Sequence, residues 1–475
     1  MSDTFRLGFS SLHNEVTLDH LPTTGTIPFW LEGSLLRNGP DQFEVGQRPV
    51  EHWFDGLAGL HCFSFHRGQV SYVNKHLRSP AYQIAKEQGI VNFKTFATDP
   101  CRVVFKGAAT ELAPPLPIGD NANVNITRLG ERFVALTEVP LPIEFDPQTL
   151  ETLGIVHFAD QLPAGPTTAH PHYDTTDRTG INYVARLAQE SSYNVYSIKD
   201  GQTQRTLIGS VPVQEPAYMH SFGLSERYVI LVEFPFVVNP QKLLTSKLAF
   251  IKNYVWKPEQ GVRFLLMSRQ DGRVVGTFHS EAFFAYHHIN AFEEADAVVV
   301  DIVAYPDTAL TDILSMDYLL SPDHRTFFAG EFRRYRLPRD GSPVTYERLS
   351  EEQIELPRIN YAHYNTKDYQ FAYGVSVHKG RSHDFWNQLV KVDVQTRQTR
   401  IWFQESCYPG EPVFVEAPGA TREDEGVILS VVLNANKGNS FLLILDAASF
   451  QEIGRAEVPH HIPFGIHGIY APMHS

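Results

Sequence analysis

Apolar residues in this chain alternate with polar ones over short stretches and seldom recur at helical spacing. Runs rich in Val, Ile, Leu, Phe and Tyr, among them 133–136, 228–232, 297–303, 426–432 and 441–445, predict β-strands. Segments with a helical period are few and short, so the pattern predicts a mostly β chain. Several strand pairs repeat one arrangement: an apolar strand, a polar turn carrying Asp or Gly, then a second strand. These turns fall near residues 67, 146, 200, 271, 340, 393 and 446. Seven turns at similar spacing predict seven repeated units, and small sheets repeated around an axis form a β-propeller, which leaves few strand edges open. Unrelated hairpins in a sandwich are the alternative reading. Stretches 76–120 and 234–264 are too long for hairpin turns and are expected to act as lids or binding loops. No composition shift marks a linker, so residues 1–475 are expected to form one domain.

Composition narrows the function. With 43% apolar and 20% charged residues the chain has material for a large core. A net charge of −14 without a Lys/Arg-rich run argues against nucleic acid as a partner, because that binding rests on phosphate neutralisation. Cys62, Cys101 and Cys407 are odd in number and widely spread, which predicts free thiols in a reducing compartment. The first residues lack a basic and apolar leader, and no run of about 18 apolar residues occurs. A cytoplasmic protein is therefore expected, touching a membrane at most from its surface. Histidine is the unusual count, 21 beside 5 Met and 5 Trp, and directs the search for chemistry.

Inner strands of a propeller face its axis, so residues distant in sequence converge there. Four His-bearing stretches are candidates: TTAHPHYD (His170, His172), AYMHSFG (His220), FFAYHHINAF (His287, His288) and VPHHIPFGIHGIY (His460, His461, His467). Imidazole suits iron, copper, nickel and zinc, so several converging rings would make a transition-metal site. Taken singly, each His reads more readily as a surface or hydrogen-bonded core residue, and no short metal motif is present.

These four stretches, in this order, resemble the carotenoid cleavage oxygenase family, which includes carotenoid and apocarotenoid dioxygenases, stilbene-cleaving dioxygenases and retinoid isomerohydrolases. LEGSLLRNGP at 31–40, HWFDGLAGLHCFSF at 52–65, TEVPLPIEFDPQTLETLG at 137–154 and EPVFVEAPGATREDEGVILSVV at 411–432 extend the resemblance from about residue 26 to 472. It implies an all-β, seven-bladed propeller capped by loops and short helices over one Fe(II) per chain. The ligands it implies are His170, His220, His287 and His467. His287 is preferred to His288 because the family's ligand stands three residues before an Asn, here Asn290. The resemblance also implies that Glu138, Glu355 and Glu411 hold the rings of His220, His287 and His467 respectively. His172, His288, His460 and His461 are left as structural or surface residues.

The implied reaction inserts dioxygen across a conjugated C=C bond of an apolar polyene and gives two carbonyl products. The protein's task is to hold one double bond beside the iron, which calls for an aromatic-lined tunnel. Phe93, Thr137, Tyr218 and Tyr286 are the expected substrate contacts. Stilbene-cleaving relatives place a Lys just before the Glu of TEVP and a Tyr upstream. Here those positions read Thr137 and Phe93, which favours a carotenoid or apocarotenoid. Stilbene cleavage and oxygen-free retinoid isomerisation remain rival reactions, and a metal-free interaction scaffold is the rival of another class. Because polyenes reside in membranes, the mixed apolar and basic segment 234–251 is expected to give peripheral contact with a bilayer.

Overall fold

The computed structural model describes residues 4–89, 95–98, 119–246, 248–321 and 326–473. Phe93 and Cys101, singled out above, lie outside the described residues; Cys62 and Cys407 are buried free thiols.

Seven antiparallel sheets form the blades of the expected propeller. Blade 1 holds Gly33–Gln42, Leu57–His66 and Gln69–His76; blade 2 runs from Asn125–Leu129 to Thr152–Ile155. Blade 3 runs from His172–Asp174 to Thr206–Val213, and blade 4 from Gly223–Leu224 to Val274–Ser280. Blade 5 runs from His288–Glu293 to Thr345–Arg348, blade 6 from Glu355–Arg358 to Thr399–Phe403, and blade 7 from Val413–Glu416 to Glu452–Val458. Each of the seven turns read from the sequence joins the last two strands of one blade. The turn chemistry explains why they were visible. Arg67 and Gly68 both have positive φ (47° and 76°), the paired left-handed turn whose twist suits a tight hairpin. At Asp146 and Asp393 the carboxylate instead accepts backbone N–H groups two and three residues ahead, closing the turn through the side chain.

The ring is closed from both ends of the chain. C-terminal Gly468–Pro472 adds to Gly33–Gln42 with Arg37 opposite Gly468, and N-terminal Thr23–Gly25 adds to Glu452–Val458 with Thr23 opposite Ala456. Closure demands a close approach at Gly39, whose missing side chain leaves room for Gly465; a Cβ there would lie 2.5 Å from the Gly465 Cα. Backbone on both sides leaves no flexible group to yield, so Gly39→Ala is expected to cost about 1–3 kcal/mol of stability. Equilibrium denaturation measures it, and a wild-type midpoint would refute the contact.

The long stretches between strands form the cap. They carry short helices such as Pro80–Gln88 and Pro240–Thr245, each opened by Pro at its first position and by a polar N-cap, Ser79 or Asn239. In the segment expected to meet a membrane, Phe236, Val237, Val238, Leu243, Phe250 and Ile251 are buried, and Leu248 is an exposed apolar side chain. Half of the segment's residues are thus packed into the fold. No described helix is long and apolar enough to cross a membrane.

Candidate metal centre and its cavity

Six of the seven predicted metal-site residues stand within three positions of, or at, the start of a blade's first strand. His170 precedes His172–Asp174, His220 precedes Gly223–Leu224, His287 precedes His288–Glu293 and His467 precedes Gly468–Pro472. Glu355 opens blade 6 and Glu411 precedes Val413–Glu416, while Val124 occupies the equivalent place before blade 2. Glu138 follows the second strand of blade 2. Equivalent positions on successive blades point at one axis, which brings residues nearly 300 apart in sequence together.

One nitrogen from each of His170, His220, His287 and His467 lies within 4.8 Å of the others. His220, His287 and His467 are buried and His170 is half-buried. Nδ1 of His220 is 2.7 Å from Oε1 of Glu138, Nδ1 of His287 is 2.5 Å from Oε1 of Glu355, and Nδ1 of His467 is 2.7 Å from Oε1 of Glu411. An ionised carboxylate accepts only, so with the three glutamates charged each Nδ1 carries the proton and each Nε2 a lone pair. Burial pushes His170 and His287 well below the usual imidazole range and His467 down to about 3, so these rings are neutral.

The Nε2 atoms of His287 and His467 face each other at 3.1 Å, and those of His170 and His220 at 3.0 Å. For His287 and His467, with Glu355 and Glu411 charged, this is lone pair against lone pair. A cation relieves it: two imidazoles bonded at right angles, at the usual metal–nitrogen distance of about 2.1 Å, place their nitrogens about 3 Å apart. The four-nitrogen set therefore fits a transition-metal ion.

The three carboxylates differ in their surroundings. Glu411 also meets Arg37, Arg358 (Nε to Oε1, 2.8 Å) and the Gly468 backbone N–H (3.0 Å). Burial pushes its carboxyl up, but Arg358, His467 and Arg37 outweigh that and hold it well below the usual range. Glu355 has no Arg or Lys beside it, and burial pushes it up to about 8. A metal cation among the rings would favour its charged form.

Sequence reading missed several residues that build this centre. Arg37 and Arg358 clamp Glu411. Thr168 donates to the His220 carbonyl, and Ser221 donates to the Tyr286 carbonyl at 2.7 Å, stapling blade 3 to 4 and blade 4 to 5 beside the rings. Asn38 donates to the carbonyls of Ala122 and Asn125 at 2.8 and 2.9 Å, while its backbone N–H reaches the His467 carbonyl at 2.9 Å. All but Arg358 lie in the motifs quoted for the family resemblance, but their partners are remote in sequence. The histidines set aside face elsewhere: His172 bonds the Tyr361 hydroxyl and the Phe222 carbonyl, His288 the Ser221 hydroxyl, His460 the His461 carbonyl and His461 the Ser10 carbonyl.

A cavity opens onto His220 and His287. Thr137, Tyr218 and Tyr286 line it, with Trp53, Phe54, Phe96, Phe250 and Trp386, which sequence reading did not assign. Their polar ends are tied away from the space. Tyr218 donates to Glu138 (2.8 Å), Tyr286 pairs with Thr311 (2.9 Å), and the Trp53 and Trp386 N–H groups donate to the Phe464 and Phe328 carbonyls (3.1 Å each). What remains facing inward is largely ring and aliphatic surface. Asp55, also on the wall, accepts from the backbone N–H groups of Phe96, Ala97 and Thr98 at 2.6, 3.0 and 2.7 Å and from the Thr98 hydroxyl at 2.8 Å. Those bonds fix the turn that carries Phe96.

Comparison with known proteins agrees in fold and extent. The family model described as retinal pigment epithelial membrane protein matches residues 9–472. The β,β-carotene 15,15'-dioxygenase of Gallus gallus is 33% identical, with 95% of each chain covered. The mitochondrial carotenoid-cleaving dioxygenase of Homo sapiens is 34% identical, covering 94% of this chain and 87% of that one. The crystal structure of cobalt-substituted apocarotenoid oxygenase from Synechocystis superposes with a TM-score of 0.85 at 25% identity, covering 99% of this chain and 98% of that one. A match over nearly the whole chain places this protein in the carotenoid oxygenase family, to which the retinal pigment epithelial membrane protein model belongs.

Proposed function

We propose that this protein is an iron(II)-dependent dioxygenase that cleaves a C=C bond of a carotenoid or apocarotenoid, with His170, His220, His287 and His467 holding one ferrous ion per chain. The observation that carries the reading is the set of four converging imidazoles, three of them on carboxylates, at the end of an apolar aromatic cavity. Relatives a third identical over nearly the whole chain, named for carotenoid cleavage, support the substrate class. When bound, ferrous iron supplies the centre at which dioxygen is activated beside an electron-rich alkene.

The chain's own residues do the rest. Glu138, Glu355 and Glu411 fix ring orientation and make the imidazoles better donors by accepting their Nδ1 protons. Four neutral rings leave the ion its full charge, while the three carboxylates, one offset by Arg37 and Arg358, lie a ring's width away. Tyr218, Tyr286 and Thr137 line the cavity next to the rings and select which double bond reaches them. With the tyrosine hydroxyls already engaged, these contacts recognise shape and apolar surface rather than a phenolic hydroxyl, in keeping with a polyene over a hydroxystilbene. The cleavage balances without another reductant: one O2 adds across R–CH=CH–R′ and both oxygens leave as the carbonyls of two aldehydes.

The test is turnover of carotenes, β-apocarotenals and resveratrol under 18O2, with products identified by mass spectrometry. Label in both carbonyl products of a polyene is expected. Cleavage of resveratrol alone would sink the carotenoid reading, and turnover without label would replace oxygenation by isomerisation or hydrolysis.

A further inference from the structure

Blades 2 and 3 do not pack solidly. Between them lies a second, small cavity, bounded by Leu129, Leu136 and Pro142 on one side and by Ile181, Tyr196 and Ile198 on the other. Facing sheets normally fill such a gap with interdigitated side chains.

Two features give this void chemical meaning. It lies directly against the metal centre, because Thr137 and Val139, which flank Glu138, line both this cavity and the polyene cavity. Thr168 and Pro171, on either side of His170, line it too. The Thr167 N–H bonds the Glu138 carbonyl at 3.0 Å, so one seam of backbone separates the two spaces. Its walls are also largely apolar. Among its described walls no shielded polar side-chain atom lacks a partner: Asn182 donates to the Thr168 carbonyl, His172 bonds at both nitrogens, and the Tyr173 hydroxyl donates to Asp200. A largely apolar cavity whose shielded polar side-chain atoms are satisfied offers water little and admits small apolar guests.

We propose that the space between blades 2 and 3 is a holding site for dioxygen, separate from the cavity that takes the polyene. The inference rests on the dioxygenase reading above. Dioxygen is the small apolar reactant of the proposed cleavage, and a separate store beside the centre keeps it at hand while the polyene fills the aromatic cavity. No bond is made or broken there.

Xenon, an apolar probe of similar size, is the direct test. Crystals pressurised with xenon are expected to show density between Leu129 and Ile198, and in Ile198→Phe or Leu129→Phe, which fill the void from opposite blades, that density should vanish. In steady state both variants are expected to raise the KM for dioxygen about fivefold while KM for the polyene and iron content stay at wild-type values. An empty cavity under xenon overturns the proposal, as does a wild-type KM for dioxygen in a folded, filled variant. A raised KM for the polyene instead would make the space part of the substrate channel. Were the wild-type chain to consume no dioxygen with any polyene, the dioxygenase reading itself would fail and xenon density would record only an apolar void.

Discussion

In His467→Ala, bound iron after anaerobic ferrous reconstitution is expected to fall from about one ion per chain to background, and polyene cleavage with it. The reason is geometric. His467 and His287 present opposed lone pairs at 3.1 Å, a contact that a shared cation makes favourable. Removing one imidazole takes away a quarter of the donor set, and it leaves the half-buried His170 without the ring whose centroid lies 4.5 Å from its own. His220→Ala should behave alike. Glu355→Gln keeps the ring in place but weakens its proton acceptor, for which a loss of about 10–100-fold in affinity is expected. His461→Ala, outside the cluster, should keep full metal content. Elemental analysis decides the matter: a stoichiometric ion in His467→Ala would refute the ligand assignment, whatever the activity.

The largest effect on stability is expected from Glu411→Ala, on the order of 3–5 kcal/mol. Arg37 is 5% exposed and Glu411 is 1% exposed, and each depends on the other for compensation. Truncating the carboxylate strands Arg37 and half-buried Arg358 without a counter-charge, and it unties the Gly468 N–H at the strand that closes the ring. Removing one partner of a buried pair costs more than removing both, so Arg37→Met combined with Glu411→Met should recover part of the loss. Denaturant titration of chelated protein separates this effect from metal loss. A change below about 1 kcal/mol in Glu411→Ala would show that solvent reaches the cluster and screens it.

The two effects share a cause in how the ring closes. Gly39, Asn38 and Arg37 are consecutive, and each acts on the His467 segment: Gly39 by leaving room for Gly465, Asn38 by a backbone bond to His467, Arg37 by holding the carboxylate of Glu411. The C-terminal strand therefore closes the propeller and delivers a ring nitrogen to the centre in one step. A metal site assembled this late is expected to form only in the closed ring.

The seven turns were legible because turn chemistry is local. A positive φ at Arg67 and Gly68, or a carboxylate reaching its own backbone at Asp146, depends on neighbours within a few residues. The histidines were visible as candidates because their number was unusual, but the choice of four among the eight in those stretches came from family resemblance. Local pattern offers no reason why His287 turns inward while His288 bonds the Ser221 hydroxyl; adjacent positions on a strand face opposite ways, and only the blade's placement says which is inside. Arg37, Arg358, Thr168 and Ser221 were not picked out at all. An arginine 374 residues from its carboxylate has no sequence signature, and a hydroxyl that staples two blades looks like any other surface Ser or Thr until the blades stand side by side.

By itself, then, the sequence determined the strand pattern, the number of blades and the residue types from which a metal site could be made, since each follows from spacing and turn chemistry along the chain. Tertiary structure alone decided which blade edges meet, that Glu411 would carry two arginines while Glu355 carries none, and that the tyrosine hydroxyls would turn away from the cavity. Those outcomes depend on ring closure, which sets distances between residues that share no local signal.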